Sequence, residues 1–369
     1  MHSLNGMRFR SSPSVELKPL ADLELEADAD VYGLFAPKPP FMMNLKSAPR
    51  QTAELFRSLA TPSPLDRALF DDEEYAADII DLVLDGILEV ESDDGFVSGA
   101  DAIAFAGVPL PEAGGALSRD ALLHAQELEW NDPQILAMAL YRYNHVPISP
   151  FWKTRFAAPE LILAHVGADR GALRAALERD WTLSHDASGW LSWISAAAPA
   201  LHGREVATYK LYVSPRPARI RDALEVLVRV LTMIPASFKL GNSAAGLLRP
   251  DKLVAYFSTR EELDEAASMM QRELAGCEAQ GVPFTAFLDE SGLLSWGVDP
   301  PKTETALRRL QSTSWRLWVA QRLGGAMAVA KAARTSAAAE PWRFAVARIQ
   351  RMGITPATWT PLPALWSAA

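Results

Sequence analysis

The chain has 369 residues, 49% of them hydrophobic and 22% charged, with a net charge of −9; this is the composition of a globular chain able to bury a sizeable core, in two or three domains on a prior of about 150 residues each. The single cysteine, Cys277, excludes disulfide frameworks and cysteine-based zinc sites, and six scattered histidines without HExxH spacing give metal catalysis no support. No apolar run reaches transmembrane length and MHSLNGMRFRSS lacks a signal-peptide core, so the expectation is a cytoplasmic protein with no membrane partner.

Residues 1–50, rich in Pro, Ser and acidic side chains, read as an extended or partly disordered arm. Residues 51–203 read as a mainly helical acidic domain, beginning with a helix over Ala53 to Leu59. From Asp71 the pattern sharpens. Acidic residues crowd a first turn, Ile79, Ile80, Val83 and Leu84 keep a helical stripe, Gly86 closes the helix, and Leu88–Val90 and Phe96–Val97 flank Asp93-Asp94-Gly95 as a hairpin. A helix followed by a small hairpin looks like a winged-helix element. Its lack of any basic residue speaks against phosphate contacts, hence against nucleic acid, and leaves peptide or partner docking as its expected role.

Helices follow from Ser118 to about Trp130 and from Pro133, the second with Asp132 as cap and proline in its first turn. The aromatic segment Asn144–Trp152 reads as a packed linker or a binding lip. Leu161–Val166 and Arg170–Arg179 read as helical, and Trp181, Trp190 and Trp193 suggest a hairpin around Asp186–Gly189, with the tryptophans either filling a core or presenting an aromatic surface to a peptide.

From about 204 to 369 strands separate the helices, so the whole chain is expected to be α+β. In Tyr209-Lys210-Leu211-Tyr212-Val213-Ser214 a period of two puts Lys210, Tyr212 and Ser214 on one face and Leu211 and Val213 on the other. An amphipathic helix from Pro217 to Ile234 leads to Phe238-Lys239-Leu240, and an arginine loop at Arg249 leads to a strand ending in Tyr256. Thr259 to Glu262 is a capping box for the next helix, and strands near Phe284–Phe287 and Leu293–Trp296 are joined by Asp289–Gly292. Beyond Lys302 two basic helices are expected, about Glu304–Leu323 and Pro341–Arg351, with an alanine-rich stretch between them that fits a helix or a loop. Trp359 and Trp366 would be costly to leave exposed.

The order of Lys210-Leu211-Tyr212-Val213-Ser214, Phe238-Lys239-Leu240 and Arg249 to Tyr256 resembles the phosphothreonine lyases of the OspF and SpvC effector type and the lyase domains of lanthipeptide synthetases, over roughly a quarter of the chain. The resemblance implies a lyase-like domain over residues 204–369 that eliminates phosphate from phosphoserine or phosphothreonine of a peptide, leaving a dehydroamino acid and needing no metal or cofactor. Such chemistry needs a base against the Cα proton and a cation at the carbonyl oxygen. Lys239 is then the candidate base, Lys210 the electrophile at the amide carbonyl, and Arg249 the holder of the leaving phosphate. Tyr212 stands where the family pattern has its acid histidine. The stretch Leu293–Pro301 lacks the family's downstream arginines, whose part would fall to Arg216, Arg308 or Arg309.

Charge agrees with an anionic substrate: residues 204–252 carry nine basic and four acidic side chains, while the N-terminal half is acidic. With no kinase motif in the chain, the expected partners are a phosphorylated precursor peptide and a separate kinase, in maturation of a ribosomal peptide natural product. The competing expectation is a catalytically inactive subunit of the lyase fold that binds the precursor peptide or the kinase, since Tyr212 replaces a histidine. For each basic residue alone the plain alternative is a solvated or packed side chain with no chemistry.

Overall fold

The computed structural model describes residues 6–23, 31–93, 95–186, 189–195, 208–234, 236–299, 314–334 and 339–362. Helices and sheets are both well represented, and the fold is α+β. Two compact units divide the chain: one takes 1–141, 301–357 and 361–369, the other 142–300 and 358–360.

In the first unit the described residues of the segment read as an arm include four strands. β1 (Arg8–Ser11) and β6 (Leu88–Ser92) pair antiparallel, with β5 (Ser63–Pro64) beyond β1 and β7 (Gly95–Val97) beyond β6; β2 (Val15–Lys18), β3 (Gly33–Pro37) and β4 (Lys46–Ala48) form a second sheet. Phe9, Leu34 and Phe35 are fully buried. α1 (Arg50–Ser58) follows.

α2 (Glu73–Leu84) starts at the Asp72 carboxylate, which accepts from the backbone N–H groups of Glu74 and Tyr75 at 3.0 and 3.2 Å. It stops at Gly86, whose φ of +78° is open to glycine, and whose missing Cβ leaves room for the Phe41 ring. β6 and β7 then form the expected hairpin. α3 (Ile103–Ala106), α4 (Ala116–Glu127) and α5 (Pro133–Arg142) complete this stretch.

The second unit opens with α6 (Pro150–Arg155), α7 (Pro159–His165) and α8 (Gly171–Asp180) and then builds a seven-stranded sheet. Its strands are β8 (Trp181–Asp186), β9 (Trp190–Ser195), β10 (Tyr209–Val213), β11 (Ser237–Gly241), β12 (Leu253–Phe257), β13 (Ala286–Phe287) and β14 (Leu294–Val298), in spatial order β13-β14-β10-β12-β11-β9-β8. Residues paired across the sheet share a face. Leu211, Val213, Phe238, Leu240, Leu253, Ala255, Leu191, Trp193, Leu294 and Trp296 line one side. α9 (Ile220–Met233), amphipathic and with eight buried residues, packs on α11 (Arg260–Glu273), which packs on β10 and β12. The capping box of Thr259 and Glu262 starts α11. Lys210, Tyr212, Lys239, Val254, Tyr256 and Ser295 line the other side. Between β11 and β12 runs α10 (Ala244–Leu248).

The chain then returns to the first unit. α12 (Trp315–Lys331) takes the alanine-rich stretch into one helix, and two glycines inside it are explained by close neighbours. A Cβ on Gly324 would lie 2.6 Å from the Ala137 backbone, and one on Gly325 would lie 2.2 Å from the Asn44 amide. α13 (Pro341–Arg351) packs along α12. The sequence boundary at 203/204 therefore departs from the compact units, which divide at 141/142 and 300/301, because residues 301–357 rejoin the unit that 1–141 begins. The helix start near Glu304, Arg308, Arg309 and Trp366 lie outside the described residues.

Candidate functional site

The site is the face of the seven-stranded sheet that carries Lys210, Lys239 and Tyr256, and strand register assembles it. Lys210 on β10 pairs across to Tyr256 on β12, Tyr212 pairs to Val254, and Val254 pairs on its other side to Lys239 on β11. β11 also pairs to β9, setting Ser192 beside Lys239 and Trp190 opposite Gly241. Four strands thus bring two lysines and the rings of Trp190, Tyr212 and Tyr256 onto one surface.

Cations and rings alternate across it. The Arg249 guanidinium carbon lies 4.9 Å from the Trp190 ring centroid, and Lys239 Nζ lies 4.3 Å from the same ring. Lys239 Nζ is also 5.4 Å from the centre of Tyr256, and Lys210 Nζ is 5.6 Å from it. These are cation–π distances, worth roughly 0.5–2 kcal/mol each, and the rings stand between the like charges.

Arg249 reaches its place through a tight turn. Ser243 caps α10 by accepting from Gly246 N–H at 3.1 Å, and Gly246 folds onto Gly241 so closely that a Cβ on Gly241 would lie 2.3 Å from it. Only two small residues permit that approach.

Two carboxylates close the ends of the row. Asp299 accepts an ion pair from Lys210, and Asp251 takes Arg249 in a fork, with Nη2 to Oδ2 at 2.8 Å. Lys210 and Arg249 are therefore internally paired. Lys239 is half-buried between its rings. Tyr212 points into an apolar cluster with Val254 and Val282, packed against by Tyr256. Arg216 is exposed on the loop after β10, with its charge felt at Lys252.

Lys252 is the residue the sequence reading missed. It stands directly before β12, is fully buried, and donates to Pro215 O at 2.8 Å and to Gln280 Oε1 at 2.7 Å. Burial above all, opposed by Asp251 and helped by Arg216 and Arg249, lowers its pKa to about 7. The signal that could have found it is alternation: Lys252, Val254 and Tyr256 share parity on β12.

Among the described residues no group of three or more His, Cys, Asp or Glu side chains could hold a metal ion, and no helix is long and apolar enough to cross a membrane. What the face can do is bind an anion and handle a proton, since five basic side chains, Lys210, Arg216, Lys239, Arg249 and Lys252, gather near two carboxylates.

No protein-family model and no curated protein matches the chain. Among solved structures it is similar to an effector protein from Pseudomonas syringae pv. syringae strain 61, at 9% identity and a TM-score of 0.38, over 68% of this chain and 99% of that one. It is also similar to an effector protein from Pseudomonas syringae pv. tomato strain DC3000, at 11% identity and a TM-score of 0.36, over 66% of this chain and 95% of that one. At that distance neither likeness assigns an activity.

Proposed function

We propose that the chain is a lyase that eliminates phosphate from a phosphorylated serine or threonine of a peptide, acting after a separate kinase in the maturation of a peptide natural product. The observation that carries this reading is the row Arg249, Trp190, Lys239, Tyr256, Lys210 on one sheet face. It offers a lysine between two cationic neighbours, as the reaction requires. Lys239 takes the Cα proton, the C–H electron pair becomes the Cα=Cβ double bond, and the Cβ–O bond breaks with its electrons leaving on phosphate. Lys210 faces the amide oxygen on which charge develops, and Arg249 holds the phosphate. Each of these two shares its charge with Asp299 or Asp251, so substrate must join or displace those carboxylates.

The same two ion pairs, with Tyr212 packed among apolar side chains, favour a second reading, a non-catalytic subunit that binds the phosphorylated peptide or the kinase. Incubation of the purified chain with phosphoserine and phosphothreonine peptides, followed by mass spectrometry, separates the two. Loss of phosphoric acid with wild type, reduced about 10²–10⁴-fold in Lys239→Ala, is the expected result. Peptide bound but unchanged would transfer the conclusion to the binding subunit.

A further inference from the structure

No step of the proposed elimination uses Lys252, yet its bonds lead to Arg249. Gln280 Oε1 accepts from Lys252, while Gln280 Nε2 donates to Leu248 O at 3.2 Å and to Asn144 O at 2.6 Å. Gln280 N–H donates to Ser214 O at 2.7 Å, and Ser214 Oγ donates to Pro250 O at 2.6 Å. The carbonyls directly before and after Arg249 are thus both held, one by Gln280 and one by Ser214.

The chemistry of the lysine gives this network its direction. An amine side chain buried among carbonyl oxygens can only donate, whereas a glutamine amide can turn either end toward a neighbour. Lys252 therefore requires the oxygen end of Gln280, which leaves the NH₂ end for the carbonyls of Leu248 and Asn144. Both acceptors of Lys252 are neutral, an arrangement two N–H groups can satisfy, so the bonds do not depend on a counter-ion. A buried lysine whose hydrogen bonds go to neutral acceptors is expensive to keep for packing alone.

We propose that Lys252 is a positioning residue, which fixes the Gln280 amide and through it the Leu248 carbonyl, so that the Arg249 guanidinium stands over Trp190 ready for a phosphate oxygen. The proposal rests on reading Arg249 as the phosphate holder. Lys252 itself is fully buried and touches no substrate.

The test uses the full chain with inorganic phosphate and with a phosphothreonine peptide, comparing wild type, Lys252→Met, Gln280→Glu and Arg249→Ala. Gln280→Glu is the control for folding: it gives Lys252 a carboxylate partner while removing both NH₂ donors. The expected result is that Lys252→Met and Gln280→Glu each weaken phosphate binding about tenfold, toward the value of Arg249→Ala, and raise KM for the peptide more than they lower kcat. Amide hydrogen exchange should quicken across residues 247–252 in both. Unchanged phosphate affinity and exchange in either folded variant overturns the proposal, as does failure of wild type to bind phosphate. A wild type that binds phosphate in this Lys252-dependent way but eliminates nothing overturns the lyase reading and leaves the positioning role standing.

Discussion

Lys239 shares two rings with two other cations, and its neighbours were set by register, which a sequence can suggest but not fix. The alternation in Lys210-Leu211-Tyr212-Val213 was legible because one face had to be apolar to meet a helix. That β11 would lie beside β12 and place Lys239 across from Val254 was not, since antiparallel partners are chosen by long-range packing. Trp190 entered the site the same way; its spacing fitted core filling as well as an aromatic surface. If the row works as a unit, Trp190→Ala should cost about tenfold in affinity for a phosphopeptide by isothermal titration, because it loosens Arg249 and Lys239 together. A change smaller than twofold would show that the ring is only a neighbour.

Lys252 offers a sharper test at this scale, because burial alone can be seen in stability. In the unfolded chain its amine has the ordinary lysine pKa near 10.5, and in the fold about 7. The folded state therefore binds fewer protons between those values, so stability rises with pH from about 7 to 10.5. Below 7 the cost of the buried charge is present in full, on the order of 5 kcal/mol. Lys252→Met should flatten this rise in urea unfolding measured from pH 6 to 10. A variant whose stability climbs as steeply as wild type would place the titration elsewhere.

Among the elements, α2 and α13 show how a charge pattern can be legible while its purpose is not. The acidic run from Asp71 correctly gave a helix start, a glycine stop and a hairpin, all signals that lie within a few residues of one another. What the acids do depends on residues some 265 positions later. Arg348 is buried between Asp81 at 2.7 Å and Asp85 at 2.6 Å, Arg351 reaches Asp81 at 2.6 Å, and Lys46 reaches Asp85 at 2.6 Å. Burial raises the pKa of Asp85, but Arg348 and Lys46 outweigh it and bring it to about 2. The stabilisation this supplies, about 2–3 kcal/mol, is present above the unfolded pKa near 3.8 and is lost as pH falls through about 2. Asp85→Asn should lower stability at pH 7 by roughly 3–5 kcal/mol, since it leaves a buried guanidinium partly unpaired. Its deficit should shrink when unfolding is repeated at pH 2. Equal deficits at both values would mean that the carboxylate's charge is not what matters.

The whole molecule is organised by an insertion that local sequence does not announce. The motif order from Tyr209 to Tyr256 drew a boundary near 204, where a strand begins, but a domain is defined by what it buries. All seven strands of the large sheet, and the helices on its apolar face, lie between 150 and 298. The first unit by contrast needs its second piece: α12 and α13 bring Trp315, Trp342 and Phe344 into its core, Gly324 onto Ala137, and Arg348 onto α2. A fragment of residues 142–300 should therefore fold alone, giving a dispersed amide NMR spectrum and one cooperative unfolding transition. It lacks Trp359, whose ring stands 5.0 Å from that of Phe284, so a stability below that of the same unit in the full chain is expected, by about 1 kcal/mol from the ring contact alone. A fragment of residues 1–141 should stay unfolded, because removing three large aromatic side chains and the partner of Asp81 and Asp85 leaves both a void and uncompensated buried acids. Co-expression with residues 301–369 should restore its dispersion. If 1–141 folds by itself, or 142–300 does not, the units are not independent cores, and the sheet face would owe its geometry to segments outside its own strands.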